Sequence, residues 1–294
     1  MPSLKDIRSR IGSVRNIAQI TRAMEMVAAS RMKRAQDSIL AARPYATELE
    51  DTLRRVAGAQ GLTEDVDPLL ARRPVRRVAM IVITTDRGLA GSLNANATRA
   101  VLRWVTERAS SGGNQIEIDA ITVGRKGRDA LRRAGVPIAA HFTQLGDRPS
   151  FADVTPIARL VTADFLAESY DEIDIAYSTF VSTLAQKPQI DRLLPVERPE
   201  MGEEHERTND EYLFEPSPEA VLSRLLPHYV AIGIYRAVLE NNASEQSARM
   251  IAMRNSTDNA NELIDDLTLV YNKTRQATIT REMIEIASGA EALG

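Results

Sequence analysis

The stretch "TTDRGLAGSLNAN", Thr84 to Asn96, follows an apolar run and precedes a helical pattern. Strand, glycine turn and helix in that order can form a backbone nest for phosphate. The stretch lacks Gly-x-Gly-x-x-Gly spacing, and no Lys-Ser or Lys-Thr pair follows as in a P-loop. The acidic partner that a ribose needs about twenty residues on would have to be Glu107, inside the following helix. The competing reading is a tight strand-to-helix turn, with Asp86 bonding locally and Gly88 and Gly91 supplying positive φ. The incomplete motifs favour the turn. A nucleotide-binding α/β protein using the Gly88–Gly91 turn remains the alternative.

Other reactive residues form no constellation. Arg125, Lys126 and Arg128 in "VGRKGRDALRR" make a basic turn, read as a solvated helix start rather than an anion site. His141, His205 and His228 are scattered without metal-ligand spacing, and His141 reads as a core or edge residue of a strand. The neighbours Glu203–Glu204 and Asp265–Asp266 would point apart on a helix. No Gly-x-Ser-x-Gly elbow occurs. The chain has no cysteine, which removes disulfides, thiolate metal sites and a thiol nucleophile. No catalytic residue, cofactor or metal is expected.

Composition narrows the class. The 294 residues are 44% hydrophobic and 26% charged, which excludes a wholly disordered chain. Aromatics are 4% and Ala, Arg, Glu and Leu are plentiful, which favours long helices. A net charge of −3 gives no support to nucleic-acid binding. The longest apolar run, "VAMIVI" (Val78 to Ile83), is the size of a strand, not of a membrane span. The start lacks the apolar core of a secretory signal. It is Arg-rich, as a transit peptide is, but Asp6 and Glu25 count against that.

Glycine and proline, the strongest helix breakers, divide the chain into three. Neither occurs from Ser13 to Arg43 or from Ile234 to Ser288. The first part predicts a helix with Ser3 as N-cap and Asp6 closing a capping box. Leu4, Ile7, Ile11, Val14 and Ala18 form its seam for one partner helix, and Pro44 marks a kink or an end. The last part predicts a helix of roughly 80 Å, too long to fold into a globule, that must project or pair. Its expected seam is Leu263, Leu267, Val270, Thr274 and Ala277, its polar middle "RNSTDNANE" should pack imperfectly, and Gly289 should end it. The middle alternates strands and helices, which predicts an α/β layer with a mostly parallel sheet and "KPQIDRLLPV" as an edge.

The two ends together resemble the gamma subunit of the F-type ATP synthase. The N-terminal match runs through "LKDIRSRIGSVRNIAQITRAMEMVAASRMKRAQ". The C-terminal match is denser, in "SEQSARMIAMRNSTDNANELIDDLTLVYNKTRQATITREMIEIASGAEAL". "TDRGLAGSLNAN" resembles the family's central signature, with departures at Thr85, Ala90 and Ser92. The match starts at Met1, which argues against a transit peptide. The absence of a cysteine insert implies a bacterial enzyme without a thiol switch.

The resemblance implies an α/β fold with a long antiparallel coiled coil. The N- and C-terminal helices would form a projecting shaft on a central Rossmann-like α/β domain with a mostly parallel sheet. The expected division is 1–57 for the N-terminal shaft helix and 75–196 for the α/β domain. Residues 197–219 would form an acidic loop and foot segment, and 220–294 the C-terminal shaft helix. The implied function is that of a non-catalytic rotor in the central stalk. It would transmit torque between the membrane c-ring and the ring of alpha and beta subunits, coupling proton transport to ATP synthesis. The epsilon subunit is a further implied partner. Attachment to the cytoplasmic face of the bacterial cell membrane would be peripheral, through the c-ring.

Carried over residue by residue, Met24, Arg275, Gln276, Thr280 and Glu282 would touch beta. Tyr212, Phe214 and Glu215 of "EYLFEP" would meet the c-ring and epsilon, with Phe214 standing where the family has Tyr. The stretch "AMEMVAASRMKRAQ" (Ala23 to Gln36) is apolar on several sides, which a single partner helix cannot cover. Its basic run, Arg31, Lys33 and Arg34, would face acidic lobes of beta. A coiled-coil scaffold or nucleic-acid binder is the remaining alternative, and it would need steeply salt-dependent binding.

Overall fold

The computed structural model describes residues 3–59, 67–110, 116–197, 215 and 217–291. It divides into two units, Ser30–Ala248 and the pair Met1–Ala29 with Arg249–Gly294.

The first unit is the α/β layer. Its strands are β1 (Arg77–Ile83), β2 (Glu117–Val123), β3 (Ile138–Phe142), β4 (Glu172–Ser182) and β5 (Ala185–Leu194). The helices between them are α2 (Leu93–Ser110), α3 (Arg125–Arg133) and α4 (Phe151–Leu166), while α1 (Leu4–Ala59) and α5 (Pro218–Glu291) flank them in the chain. The sheet order is β3-β2-β1-β4-β5. β1 lies parallel to β2 and β4, β2 parallel to β3, and β5 runs antiparallel along β4 as the expected edge. Six of the seven residues of β1 are buried, because helices cover both faces. Ala79, Ile81 and Ile83 point into a core with Val154, Ile157 and Phe165 of α4 and Leu226, Val230 and Ile234 of α5. Met80 and Val82, one pleat out of phase, meet Val101 of α2 and Leu131 of α3.

A charged cluster pins the sheet edge. Arg192 of β5 reaches Glu172 at 2.9 Å and Asp174 at 3.2 Å, and Arg108 of α2 also pairs with Glu172. Burial pushes the Asp174 carboxyl up, against the pull of Arg192.

The second unit is an antiparallel helix pair. Ser3 and Asp6 form the expected capping box: the Asp6 amide donates to Ser3 Oγ at 3.2 Å and the Ser3 amide to Asp6 Oδ2 at 3.1 Å. The Ser3 bonds hold the Asp6 carboxyl below its ordinary range. Leu4, Ile7, Ile11, Val14 and Ala18 all face inward as expected, and the same 3-4 spacing continues through Thr21, Glu25 and Ala28. On α5 the seam is Met253, Thr257, Ala260, Ile264, Leu267, Tyr271, Thr274 and Thr278. Leu267 and Thr274 stand as expected, but Leu263, Val270 and Ala277 are exposed. The true seam lies one residue later, at Ile264, Tyr271 and Thr278. Polar "RNSTDNANE" packs better than its composition suggests, because Thr257 and Ala260 are small enough to be buried.

Of the two readings of Pro44 the end is excluded, since α1 runs through it to Ala59, close to the expected bound at 57. α5 continues past its expected end at Gly289 to Glu291. α5 likewise runs through Pro227, starting at Pro218.

Candidate subunit-contact surfaces

The strand-end turn is stabilised by long-range bonds. Asp86 does not bond locally: its carboxylate accepts from the Arg125 amide at 3.1 Å and the Gln144 amide at 2.7 Å. These amides open α3 and the segment after β3. Backbone donors of that kind would otherwise suit a phosphate, and here a side-chain carboxylate takes them. Gly127 donates its amide to Thr84 Oγ1 at 2.8 Å, and Asn94, in the first turn of α2, bonds back to Thr85. Positive φ falls on Gly91 and on Leu89, not on Gly88.

α5 closes the same end of the sheet. Asn241 Oδ1 accepts from the Ser178 amide at 3.4 Å, and Ser244 Oγ donates to the Ser178 carbonyl at 2.9 Å. Open α/β sheets bind ligands in the crevice beyond their strand ends, where the strand order reverses. At the end of β4 Asn241 and Ser244 take the Ser178 backbone, and beyond β1 and β2 a cleft of about 380 Å³ remains, lined by Thr84, Asp86, Gly124, Gln144 and Asn241. What speaks against the nucleotide alternative at the Gly88–Gly91 turn is Asp86, which takes the amides of Arg125 and Gln144 that a phosphate would need. His141 lies on edge strand β3, as expected, with Arg128 Nη1 at 3.1 Å.

The helix pair carries a different kind of surface. In its seam the hydroxyls of Thr21 and Thr257 lie 2.7 Å apart, and Arg254 Nε meets Glu25 Oε1 at 3.1 Å. Advancing along α1 means retreating along α5, so the two bonds fix an antiparallel register. Beside the seam runs a second stripe with the same 3-4-3 spacing: Ile17, Ile20, Met24 and Val27. Ile17, Ile20 and Val27 are 49%, 59% and 50% exposed, and Met24 is half-buried. Leu263 and Val270 of α5 are also exposed. They precede seam residues on their helix as Ile17 and Met24 do on α1, so all four fall on one flank of the antiparallel pair. Farther on, Ile279, Met283, Ile284 and Ile286 are exposed beyond the last seam residue. This is why "AMEMVAAS" looked apolar on several sides: Ala28 is in the seam, while Met26 and Val27 are outside it.

The sequence-predicted contact residues fall into separate patches. Arg275, Gln276, Thr280 and Glu282 are all exposed on α5. Met24 lies level with Arg254, so the twenty-one residues from 254 to 275 place it about 30 Å along the pair from Arg275. Lys33 and Arg34 are exposed, with Arg34 Nε donating to the Ser30 carbonyl. Arg31 is different. Its guanidinium is held at 2.8 Å by Asp147, in the segment after β3. Only Lys33 and Arg34 of the basic run therefore point their charge outward without an acidic partner among the described residues. Glu215 is exposed, and Tyr212 and Phe214 lie outside the described residues. The second stripe and the Arg31–Asp147 pair were missed by the sequence reading. The stripe had a signal, since its spacing repeats that of the seam one residue earlier. The ion pair had none, because more than a hundred residues separate its members.

A family model described as ATP synthase matches residues 3–293. A protein of Roseiflexus castenholzii named ATP synthase gamma chain is 52% identical over 295 residues, covering 100% of this chain and 99% of the relative. Proteins of the same name from Chloroflexus aurantiacus and Dehalococcoides mccartyi are 49% and 47% identical, each covering 100% of this chain. A chain from the central stalk and c-ring of the Tetrahymena thermophila mitochondrial ATP synthase superposes with a TM-score of 0.58 at 25% identity. It covers 80% of this chain and 98% of its own length. A chain of the Euglena gracilis mitochondrial ATP synthase gives a TM-score of 0.65 at 21% identity, covering 99% and 94%, and shows the shared fold.

Proposed function

Given that this chain belongs to the ATP synthase gamma chain family, we propose that it is the central-stalk rotor of a proton-translocating ATP synthase. The observation that carries the reading is the second apolar stripe. A helix pair that needs only to hold itself together buries one seam and leaves its other faces polar. This pair keeps Ile17, Ile20, Val27, Leu263 and Val270 at its surface and continues into an apolar end at Met283, Ile284 and Ile286. Such a surface suits a shaft enclosed by other subunits.

Its role follows from its asymmetry. Around the shaft one flank carries the apolar stripe, and the opposite flank carries Arg8, Arg15, Arg22 and Arg275. Each shaft angle offers each surrounding catalytic subunit a different surface. A shift between conformations requires such differential contact free energy. Met24 would meet beta low on the pair, and Arg275, Gln276, Thr280 and Glu282 would meet beta loops higher up. Lys33 and Arg34 would carry the electrostatic contact with beta, while Arg31 braces the α/β unit through Asp147. The relatives compared above include a central stalk with its c-ring, which supports a foot contact for this chain. Glu215, with Tyr212 and Phe214, would lie there beside epsilon. No helix among the described residues is long and apolar enough to cross a membrane. Attachment would therefore be peripheral, at the cytoplasmic face, and the chemistry would reside in the neighbouring subunits.

Reconstitution tests the reading. Alpha and beta with the membrane sector should synthesise ATP from a proton gradient only when this chain is added. Full coupled synthesis in its absence would end the proposal.

A further inference from the structure

A cleft of the α/β unit lies between residues 38–50 of α1 and residues 228–240 of α5, with Phe151 of α4 at its side. Its volume is about 900 Å³, the size of sites that bury a small organic molecule. It is not a void left by poor packing. Ile39, Ala42 and Ala46 share one face of α1, and Ile232, Tyr235 and Leu239 share one face of α5, by their 3-4 spacing. Ile232 and Leu239 are buried, so the open apolar lining is Ile39, Ala42 and Ala46 on α1 and Tyr235 on α5.

The walls are held in place. Tyr45 Oη and His228 Nε2 are 2.6 Å apart and bridge the two helices. Phe151 packs against His228 at 5.3 Å and edge-on against Tyr235 at 5.8 Å between ring centroids. These contacts fix an aromatic end to the cleft before any ligand arrives, which lowers the ordering cost of binding.

The charges at the rim are unequal in their commitments. Glu240 accepts the Phe180 amide at 2.9 Å, and Glu50 faces Arg236 at 4.0 Å. Arg43 is exposed and has no ion pair among the described residues. An apolar interior with one uncommitted guanidinium at its edge matches a molecule with an apolar chain and a single anionic head. The head would take the fork of Arg43, and the chain would displace water from Ile39, Ala42, Ala46 and Tyr235.

We infer that this cleft is a binding site for a single-chain anionic amphiphile, a long-chain monocarboxylate. A volume of this kind suits one chain and not a folded partner. The site lies wholly within one unit, Ser30–Ala248.

Calorimetric titration of the full chain with dodecanoate, below its micelle concentration, should give saturable one-to-one binding. Ala46→Trp, which fills the cleft, should abolish it. Ala42→Phe gives the same test should the first variant fail to fold by circular dichroism. Arg43→Gln should weaken binding about tenfold, the scale of one charge-assisted bond. Dodecanol should bind more weakly than dodecanoate by a similar factor. Absence of saturable binding, or unchanged binding in the filled variants, would overturn the site. Equal binding of dodecanol and dodecanoate would overturn the role of Arg43. Binding to phosphatidylglycerol vesicles without binding to dodecanoate monomer would assign the surface to a membrane instead and refute the proposal.

Discussion

The α/β unit and the helix pair solve the burial problem in opposite ways. In the first, branched side chains on both faces of β1 disappear into two helix layers. In the second, a single seam of small and medium residues is buried, and a parallel stripe of isoleucine, methionine and valine is left outside. The difference teaches where each part derives its purpose. A sheet core covered on both faces satisfies itself. A helix pair with unspent apolar surface is complete only among neighbours.

The largest expected effect separates two isoleucines. Ile81, fully buried in β1, should cost about 2–5 kcal/mol when changed to Ala. Ile17→Ala, 49% exposed, should change stability by less than about 0.5 kcal/mol. Urea unfolding of the two variants measures this. Association with alpha and beta should reverse the order, with Ile17→Ala losing more than its stability change explains. Equal losses of stability would erase the contrast between the units.

Two glycines sharpen it next. A Cβ on Gly124, which has φ +99°, would lie 2.2 Å from the Thr84 carbonyl oxygen. Gly124→Ala should therefore destabilise by about 1–3 kcal/mol or more. Gly12 lies in α1, where an added Cβ would meet nothing within 4 Å. Gly12→Ala should stabilise the helix pair by about 0.5–1 kcal/mol. Thermal melts of both variants, with opposite signs, are the expected result.

The buried threonines give a smaller effect. Thr21 and Thr257 each also lie in reach of a carbonyl of their own helix, Ala18 at 3.1 Å and Met253 at 2.9 Å. Thr21→Val alone should cost about 1 kcal/mol, because it removes the bond between helices. Replacing both with Val should be close to neutral, since no polar group is then left to satisfy. A double-mutant cycle by urea unfolding reads the coupling. Additive single effects would show that the hydroxyls do not act as a pair.

The last prediction concerns pH and belongs to the α/β unit alone. Burial, aided by a 2.9 Å bond to Asp191, pushes the Tyr177 phenol up to about 12 from its ordinary 10. Between those values the unfolded chain loses this proton and the folded chain keeps it. Stability should be full below pH 10 and fall as pH rises toward 12. Tyr177→Phe should make that decline shallower in urea melts at about pH 9 and about pH 11. An unchanged slope would remove Tyr177 as a cause.

Much of this molecule was legible from periodicity, because helix and strand patterns are local. The capping box Ser3–Asp6, the seam from Leu4 to Ala18, the parallel sheet and its antiparallel edge all followed from spacing and residue type. The family followed from ordered motifs at both ends. Of the candidate contacts, Lys33, Arg34, Arg275, Gln276, Thr280 and Glu282 are exposed on the helices, Met24 is half-buried, and Arg31 is committed to Asp147.

The sequence by itself determined which segments are helices and strands and that α1 carries apolar residues on more than one side. It could not determine which apolar stripe of α5 is buried. Leu263, Val270 and Ala277 repeat every seven residues as regularly as Ile264, Tyr271 and Thr278 do. The choice between stripes one residue apart depends on the rotation of α5 against its partner. Only the tertiary structure decided that, through the bonds Thr21–Thr257 and Glu25–Arg254. The fate of Asp86 was likewise decided there. Its partners come from two other turns, which the parallel order of β1, β2 and β3 brings to one end of the sheet.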